Sequence, residues 1–598
     1  MDRIPGILVL EKNKRYGIAD SSKSNKNSKT TSILKSKSKS NVKFWYKVKP
    51  YDKSRQTNLE TTTTENISSQ CEFFVPYKLN GKFSKSLVNK YILFSCSSFS
   101  NDINENTHDV SNKKYYGSIE NMIGDVNVPE HIYEYLLYCK LDYRPNIYKT
   151  IKRDTSEQLS QYKHLPSHVE SSVMHSHYKI RLNPNIGTVF TIDPERCTDF
   201  DDACSILSHE DGSKMIGIHI TNVPVYFDMY HLWNVFTNSS KTEVPPISSI
   251  YLPNKTIHML PTTLSERLCS LKAKEQRIVF SLFLHLDPDN TIMKTEFSTN
   301  SVYISRNFVY ESPELLKFKA YQQLKTTCMD MKNNPKNTEM YNMQMRPIHD
   351  SHEVIACLMI TMNMYAGKFC YDNQIGVFRS SVDIQNQLVD HDKEIVHRHL
   401  HMPMKDSLCE YIGFSKETRK ISDTDIDTDT DSEKYRYQHV PLNIQFYSHV
   451  TSPIRRMIDI INLSEIMTKI NGNSYFLQDM NTFIKSWKRE KTIQEINVTN
   501  KSIRKVHNET KLIQLFYYDP TIQNRVFKGI CIQIESIPGD VYVVKYTIYF
   551  EELKLLKTIR LPKDEISLYS TIRYQFYLFK DKDNIQHKWC IQKNIKNS

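Results

Sequence analysis

Residues 191–206 read TIDPERCTDFDDACSI, and four aspartates, Asp193, Asp199, Asp201 and Asp202, fall within ten positions. Strand-like apolar sequence flanks them, GTVFTI before and ACSIL after. A carboxylate drawn into such surroundings needs a proton, a hydrogen-bond donor or a cation. Four crowded carboxylates repel one another, and protonating several of them at neutral pH is unfavourable. Asp193 ends a strand just before Pro194. Asp199 and Asp201, two apart, can point the same way, and Asp202 starts the next element. Such a loop can converge several hard oxygen ligands on one point, which suits Mg²⁺ or Mn²⁺. A solvated acidic turn is the plainer alternative, and the apolar flanks on both sides weigh against it. Magnesium held by aspartates in a basic protein points to phosphoryl chemistry.

A second signal lies far downstream, in HVTSPIRRMIDIINLSEIMTKING at 449–472. It predicts an amphipathic helix with Ser452 as N-cap and Pro453 at the first helical position. Ile454, Met457, Ile458 and Ile461 form its apolar stripe, and Gly472 ends it. Arg455 and Arg456 then stand in the first turn, where the helix dipole disfavours cations. A phosphate bound there resolves the conflict, gripped by the helix N-terminus and an arginine together. A pair of surface arginines carrying a small dipole cost is the alternative.

Several elements must position these residues. The chain has 598 residues, 39% hydrophobic, with a net charge of +12, enough for several domains and suited to a polyanionic partner. Twelve cysteines without a C-x-x-C pair argue against a disulfide framework or zinc ribbon, and the expected compartment is reducing and intracellular, the cytoplasm. The N-terminus does not read as a signal peptide. RIVFSLFLHL and VIACLMITMNMYA read as core elements rather than membrane spans, so no membrane partner is expected. Residues 1–43 are expected to be a disordered basic tail, Ser/Lys/Asn-rich over 20–43. Short β-type runs over 44–125, followed by a helix from Glu130 to Leu141, predict a small barrel within 44–150. A strand and the hairpin ACSIL–HEDGS–MIGIHITNV open a mixed region, and helical periodicity dominates 350–520. ISDTDIDTDTDSE at 421–433 lacks the spacing of a calcium loop and reads as an acidic disordered insertion, within 415–437. Five strand-like runs over 523–595 predict a second small barrel of the OB type.

The two motifs together resemble the signatures of the RNB family, the RNase II and RNase R exoribonucleases and the exosome catalytic subunit. Between them, SIYLPNKTIHMLPTTLSERLCSL at 249–271 and NFVYES at 307–312 resemble further blocks of that family, in the family's order. YYGSIENMIGDVNVPEHIYEYLLYCKL at 115–141 resembles the end of the cold-shock barrel that precedes the catalytic domain. The resemblance implies an α+β, multidomain chain: a cold-shock/OB-like barrel at 44–150, an RNB catalytic domain at 175–520, mixed α/β, and an OB-like barrel at 523–595. It implies a monomeric Mg²⁺-dependent (or Mn²⁺-dependent) 3′-to-5′ exoribonuclease that threads single-stranded RNA and releases nucleoside 5′-monophosphates. Protein partners are not implied.

By the same resemblance, Asp193, Asp199, Asp201 and Asp202 match the metal-site positions, with Asp201 and Asp199 also catalytic. Tyr251 matches an aromatic that stacks near the RNA 3′ end, and Tyr310 one that helps set how far digestion proceeds. Arg455 matches an arginine at the scissile region, with Arg456 its neighbour. Glu509 matches a glutamate near the active site, and Arg379 an RNA-contacting arginine. The chain departs from the family at Asn222, which stands where aspartate is usual, at Ala356 and Cys357, where glutamates are usual, at Ser381 for histidine and at Met457 for tyrosine. Those departures motivate a second expectation, a catalytically impaired RNB-type protein that holds RNA. A calcium-binding structural protein is a third, resting on the acidic stretches alone.

Overall fold

The structure is a computed structural model. It describes residues 3–11, 14–19, 43–51, 71–79, 87–99, 113–141, 143–162, 177–182, 185–238, 244–381, 409–415, 436–472, 475–476, 478–537, 539–568, 570–581 and 586–593. The acidic stretch 421–433 and residues 20–42 of the expected basic tail lie outside the described residues.

Two compact units emerge. One gathers both ends of the chain, residues 1–143 and 502–598, with 252–255; the other holds 144–251 and 256–501. The first unit begins with strands β1 (Ile4–Leu8), β2 (Ile18–Ala19), β3 (Lys43–Pro50), β4 (Cys71–Tyr77), β5 (Lys90–Phe99) and β6 (Lys113–Asp125). Five of them close a ring in the order β1-β3-β4-β6-β5-β1, with β4 and β6 parallel. That is OB strand order. The barrel therefore starts forty residues before the expected boundary at 44. The run IPGIL, read as part of a tail, supplies a strand whose Ile7 and Leu8 are fully buried. Its signal is only five residues long, next to a lysine-rich stretch that dominates the composition. Helix α1 (Pro129–Leu141) follows, matching the expected bounds to a residue, with Leu137 buried beneath it.

The chain's last strands are β16 (Val526–Ile537), β17 (Asp540–Phe550), β18 (Leu555–Pro562), β19 (Thr571–Asp581) and β20 (Gln586–Lys593). They follow the expected runs and pair in the order β18-β17-β16-β19-β20. This too is OB order, but among the described residues β18 and β20 do not pair to close it. The sheet covers its own core, with Phe527, Tyr546, Phe550 and Phe576.

The second unit is built on a closed five-stranded barrel: β7 (Val189–Asp193), β8 (Asp202–Ser208), β9 (Lys214–Thr221), β12 (Gln276–Leu286) and β13 (Ile292–Val309). The hairpin β8–β9 turns at HEDGS as its sequence predicts, closed by His209 N–H donating to the Ser213 carbonyl at 2.9 Å. Two short strands, β10 (Ile250–Tyr251) and β11 (Thr256–Ile257), form a ribbon beside it. Strands β14 (Val377–Ser380) and β15 (Glu410–Gly413) pair in a region expected to be helical. Helices cover the barrel. Helix α2 (Ser351–Asp372) starts at Asp350, whose Oδ1 accepts the His352 and Glu353 N–H groups. It is long and apolar enough to cross a membrane by length and composition, yet two thirds of that stretch is buried inside the protein.

Helix α3 (Met457–Asn471) differs from its expectation. Arg456 is its N-cap residue, so Ser452, Pro453, Ile454 and Arg455 lie in a turn that precedes it. The reason is Asp459. Its buried carboxylate accepts the Ser452 N–H at 2.7 Å and Arg456 Nη2 at 2.9 Å, folding the preceding turn over the helix end. With Arg455 outside the first turn, the dipole conflict read from the sequence disappears. The helix is also buried nearly all round from Met457 to Ser464, a core helix rather than an amphipathic one. Gly472 ends it as expected, at φ 104°, where a side chain is disfavoured.

Candidate active site

The acidic motif folds into the end of one barrel strand, a loop and the start of the next. Asp193 is the last residue of β7, and Asp202 the first of β8. The loop between is pinned from outside by Ser270, whose hydroxyl accepts the Phe200 N–H at 3.1 Å and donates to the Thr198 carbonyl at 2.9 Å. Leu271 N–H adds a bond to the Phe200 carbonyl at 3.0 Å. Ser270 lies in the quoted block SERLCSL, but its role as an anchor has no signal in the linear sequence. At the other end Thr221 N–H donates to the Asp201 carbonyl at 2.9 Å, so the barrel itself fixes the backbone that carries Asp201.

Asp201 is 3% exposed. Its Oδ1 accepts the Ile454 N–H at 2.8 Å, and its Oδ2 pairs with Arg455 Nε at 3.2 Å. The two motifs, 253 positions apart, meet on one carboxylate. Arg455 Nη2 also donates to Ser452 Oγ at 3.0 Å, while the side chain stays 46% exposed. Backbone bonds from Ser249 N–H to the Arg455 carbonyl and from Met457 N–H to the Ile247 carbonyl, each 3.0 Å, tie this turn to the segment leading into β10. That segment delivers Tyr251, 39% exposed, with its hydroxyl 3.4 Å from Asp199 Oδ2. The sequence signals at 193–202, 251 and 455 thus converge on one pocket.

The pocket's electrostatics follow from burial. Burial pushes the Asp201 carboxyl up to about 8, although the Arg455 guanidinium and the Ile454 N–H both favour its anion. Burial, then mutual repulsion, also raises Asp193 and Asp202 well above the ordinary carboxylate range. Burial opposes the charge on Arg455, but Asp201 and its neighbours outweigh it and hold the guanidinium protonated. Two side chains not anticipated from the sequence border the cluster. Cys197 Sγ lies 3.7 Å from Asp199 Oδ1 and 3.9 Å from Asp193 Oδ1. His258 bridges outward, with Nδ1 3.8 Å from Asp199 Oδ2 and Nε2 3.2 Å from Glu266 Oε1.

The donors fit a hard divalent cation chemically. Asp193 Oδ2 is buried without a hydrogen-bond partner, and the carboxylates around it are held back from their anionic state. Among the described residues, no group of three or more His, Cys, Asp or Glu side chains stands arranged to hold a metal ion. Binding would have to draw the carboxylates together.

Four expected site residues are placed differently. Tyr310 follows β13, its N–H donating to the Asp193 carbonyl at 3.1 Å, but its ring is already stacked on His352. Arg456 is turned onto Asp459 and Thr451. Arg379 is 2% exposed, with its guanidinium 4.6 Å over the Tyr411 ring, which leaves little surface for RNA. Glu509 belongs to the other unit, where it pairs with Lys140 Nζ at 2.7 Å. Asn222, where the family usually has aspartate, is fully buried and caps a helix, its Oδ1 accepting the Val225 N–H at 3.3 Å. Cys357 is fully buried, so no carboxylate replaces the expected one there.

Known proteins share part of this sequence and the fold. The RNB domain model matches residues 181–317 and 314–471. DIS3-like exonuclease 2 of Schizosaccharomyces pombe is 35% identical over 115 residues, 19% of this chain and 12% of that protein. The chain thus aligns with about an eighth of the length of the first curated relatives it matches. RNase R of Mycoplasma genitalium, solved with ribose-methylated single-stranded RNA, superposes with a TM-score of 0.59 at 13% identity, covering 99% of this chain and 90% of that one. Yeast Ssd1, described as a pseudonuclease, superposes with a TM-score of 0.50 at 12% identity, covering 85% of this chain and 64% of that one. At such identities the superpositions speak for the fold alone. The match to the RNB model identifies residues 181–471 as an RNB domain, in a chain whose fold is shared with RNase R.

Proposed function

We propose that the protein is a 3′-to-5′ exoribonuclease that hydrolyses single-stranded RNA to nucleoside 5′-monophosphates with a divalent cation, Mg²⁺ or Mn²⁺. The observation that carries this reading is the clamp on Asp201. Ile454 N–H and Arg455 Nε hold one buried carboxylate, beside an Asp193 oxygen that has no partner. In this reading Asp193, Asp199 and Asp202 would hold the cation, which supplies charge neutralisation at the phosphate and activation of the attacking water. The half-exposed Arg455 guanidinium, oriented by Asp201 and Ser452, binds the scissile phosphate. Tyr251 offers its ring to a base near the 3′ end, and base stacking tolerates any sequence. The curated relatives named as exonucleases and the RNase R solved with single-stranded RNA support the substrate class.

One alternative has its own support: an RNB protein that holds RNA without cutting it. Among the described residues no ready-made metal cluster is present, and Asn222, Ala356 and Cys357 stand where the family usually has acids. The same fold also serves a pseudonuclease. A 5′-labelled single-stranded RNA incubated with Mg²⁺ separates the two readings. The exonuclease gives a ladder shortening from the 3′ end, and Asp201→Asn slows it by about a hundredfold or more. RNA bound but uncut by both proteins would sink the exonuclease reading and leave the holding protein.

A further inference from the structure

We propose that His352 is a nucleobase platform beside the acidic pocket, its imidazole taking the base on its exposed outer face. The inference rests on the reading of RNA as the substrate. Tyr310 lies against the pocket, its N–H on the Asp193 carbonyl and its phenol raised by burial and then by the Asp202 and Asp193 charges. Tyr310 packs against the hydrophobic core of the second unit. Over Tyr310 lies His352, centroid to centroid 3.9 Å and tilted by 14°. That is the spacing and parallelism of a base on an aromatic ring.

The stack is also held from behind. His352 sits in the first turn of α2, with its N–H on Asp350 Oδ1 at 2.8 Å. Its neighbour Ser351 donates through both N–H and Oγ to Glu311 Oε1, each at 2.6 Å, and Glu311 N–H returns a bond to Ser351 Oγ at 3.2 Å. Glu311 directly follows Tyr310, so the helix start and the tyrosine are pinned to each other on either side of the ring pair. His352 itself is exposed. A base arriving at the pocket on this side meets the imidazole rather than Tyr310, and it stacks there without any rearrangement of the pair.

The test uses the full chain in EDTA, so that RNA is bound and not cut. The probe is a short single-stranded RNA with 2-aminopurine near its 3′ end, whose fluorescence falls on stacking. Wild type and His352→Phe, which keeps a flat ring, should both quench the probe. His352→Ala should lose the quench and bind roughly five- to hundredfold more weakly, with the melting temperature unchanged. Equal quenching and affinity in His352→Ala overturn the proposal. Loss in both variants overturns it too, since a ring alone should serve. Cleavage by the wild type in Mg²⁺ without any effect at His352 would leave the exonuclease standing and remove the platform. His352-dependent quenching in a protein that never cuts would do the reverse.

Discussion

At the residue scale, the acidic pocket stores an electrostatic cost that a cation can relieve. Asp193, Asp201 and Asp202 have folded-state values raised above their unfolded ones. A raised carboxyl favours folding below its unfolded value, near 3.8, and that contribution is lost as pH rises through the folded value, about 8 for Asp201. The metal-free protein should therefore lose stability from about pH 4 to pH 8, and millimolar Mg²⁺ should restore most of the loss at the alkaline end. Thermal melts with EDTA and with Mg²⁺ across that range check this directly. A pH-independent Mg²⁺ effect would contradict it. Asp193→Asn, which removes one buried charge without breaking a hydrogen bond to its Oδ2, should stabilise the EDTA form at pH 8 by about 1–3 kcal/mol. It should also shrink the gain from Mg²⁺.

At the element scale, the barrel of the second unit holds a different titrating group in its wall. His219 on β9 is fully buried, with Nε2 3.0 Å from Ser205 Oγ on β8 and Nδ1 2.8 Å from Ser281 Oγ on β12. Three neighbouring strands are thus joined by one imidazole. Burial holds its value down to about 3. A depressed base contributes stability above its unfolded value, near 6.5, and the contribution is lost as pH falls toward the folded one. Between those limits one proton is taken up on unfolding, a slope of about 1.4 kcal/mol per pH unit. Denaturant unfolding of His219→Gln between pH 4 and 6 should show that much less dependence on pH. An unchanged slope would mean the imidazole is already charged inside the barrel. The same scale shows where local pattern was a fair guide. The hairpin β8–β9, helix α1 and the strands of the last sheet lie within a few residues of the places their periodicity indicates. Helix α3 does not begin where its capping residues suggest, because a buried Asp459 claims the Ser452 N–H that a cap would have used.

At the scale of the whole molecule, a net charge of +12 on 598 residues gives any polyanion a favourable approach. If RNA is the ligand, its affinity should fall as salt rises, with a log–log slope of about −0.7 for each phosphate contacted. Fluorescence anisotropy with a single-stranded RNA in EDTA measures this without cleavage, and a flat response would count against an RNA path lined by cations. The division into units also has to be judged at this scale. The two OB-ordered sheets come from opposite ends of the chain yet fall in one unit, where Lys140 of α1 pairs with Glu509. A linear reading in three successive domains has no means of expressing that.

The sequence by itself determined which residues are candidates for the chemistry. Four aspartates between apolar strands and a TSPIRR turn are dense local patterns, and each is constrained by the few residues around it. It also determined the hairpin β8–β9 and the strands of the last sheet, because alternation and turn residues are short-range signals. Only the tertiary structure decided which candidates meet. Ile454 N–H reaches Asp201 across 253 positions, with Arg455 beside it on the same carboxylate, and Tyr251 reaches Asp199 through a short ribbon. Arg379 is instead stacked on Tyr411, Arg456 is held by Asp459, and Glu509 is paired with Lys140. Nothing local separates these arginines and this glutamate from their neighbours. A charged side chain goes to whichever partner the packed fold leaves within reach, and that is a property of three dimensions.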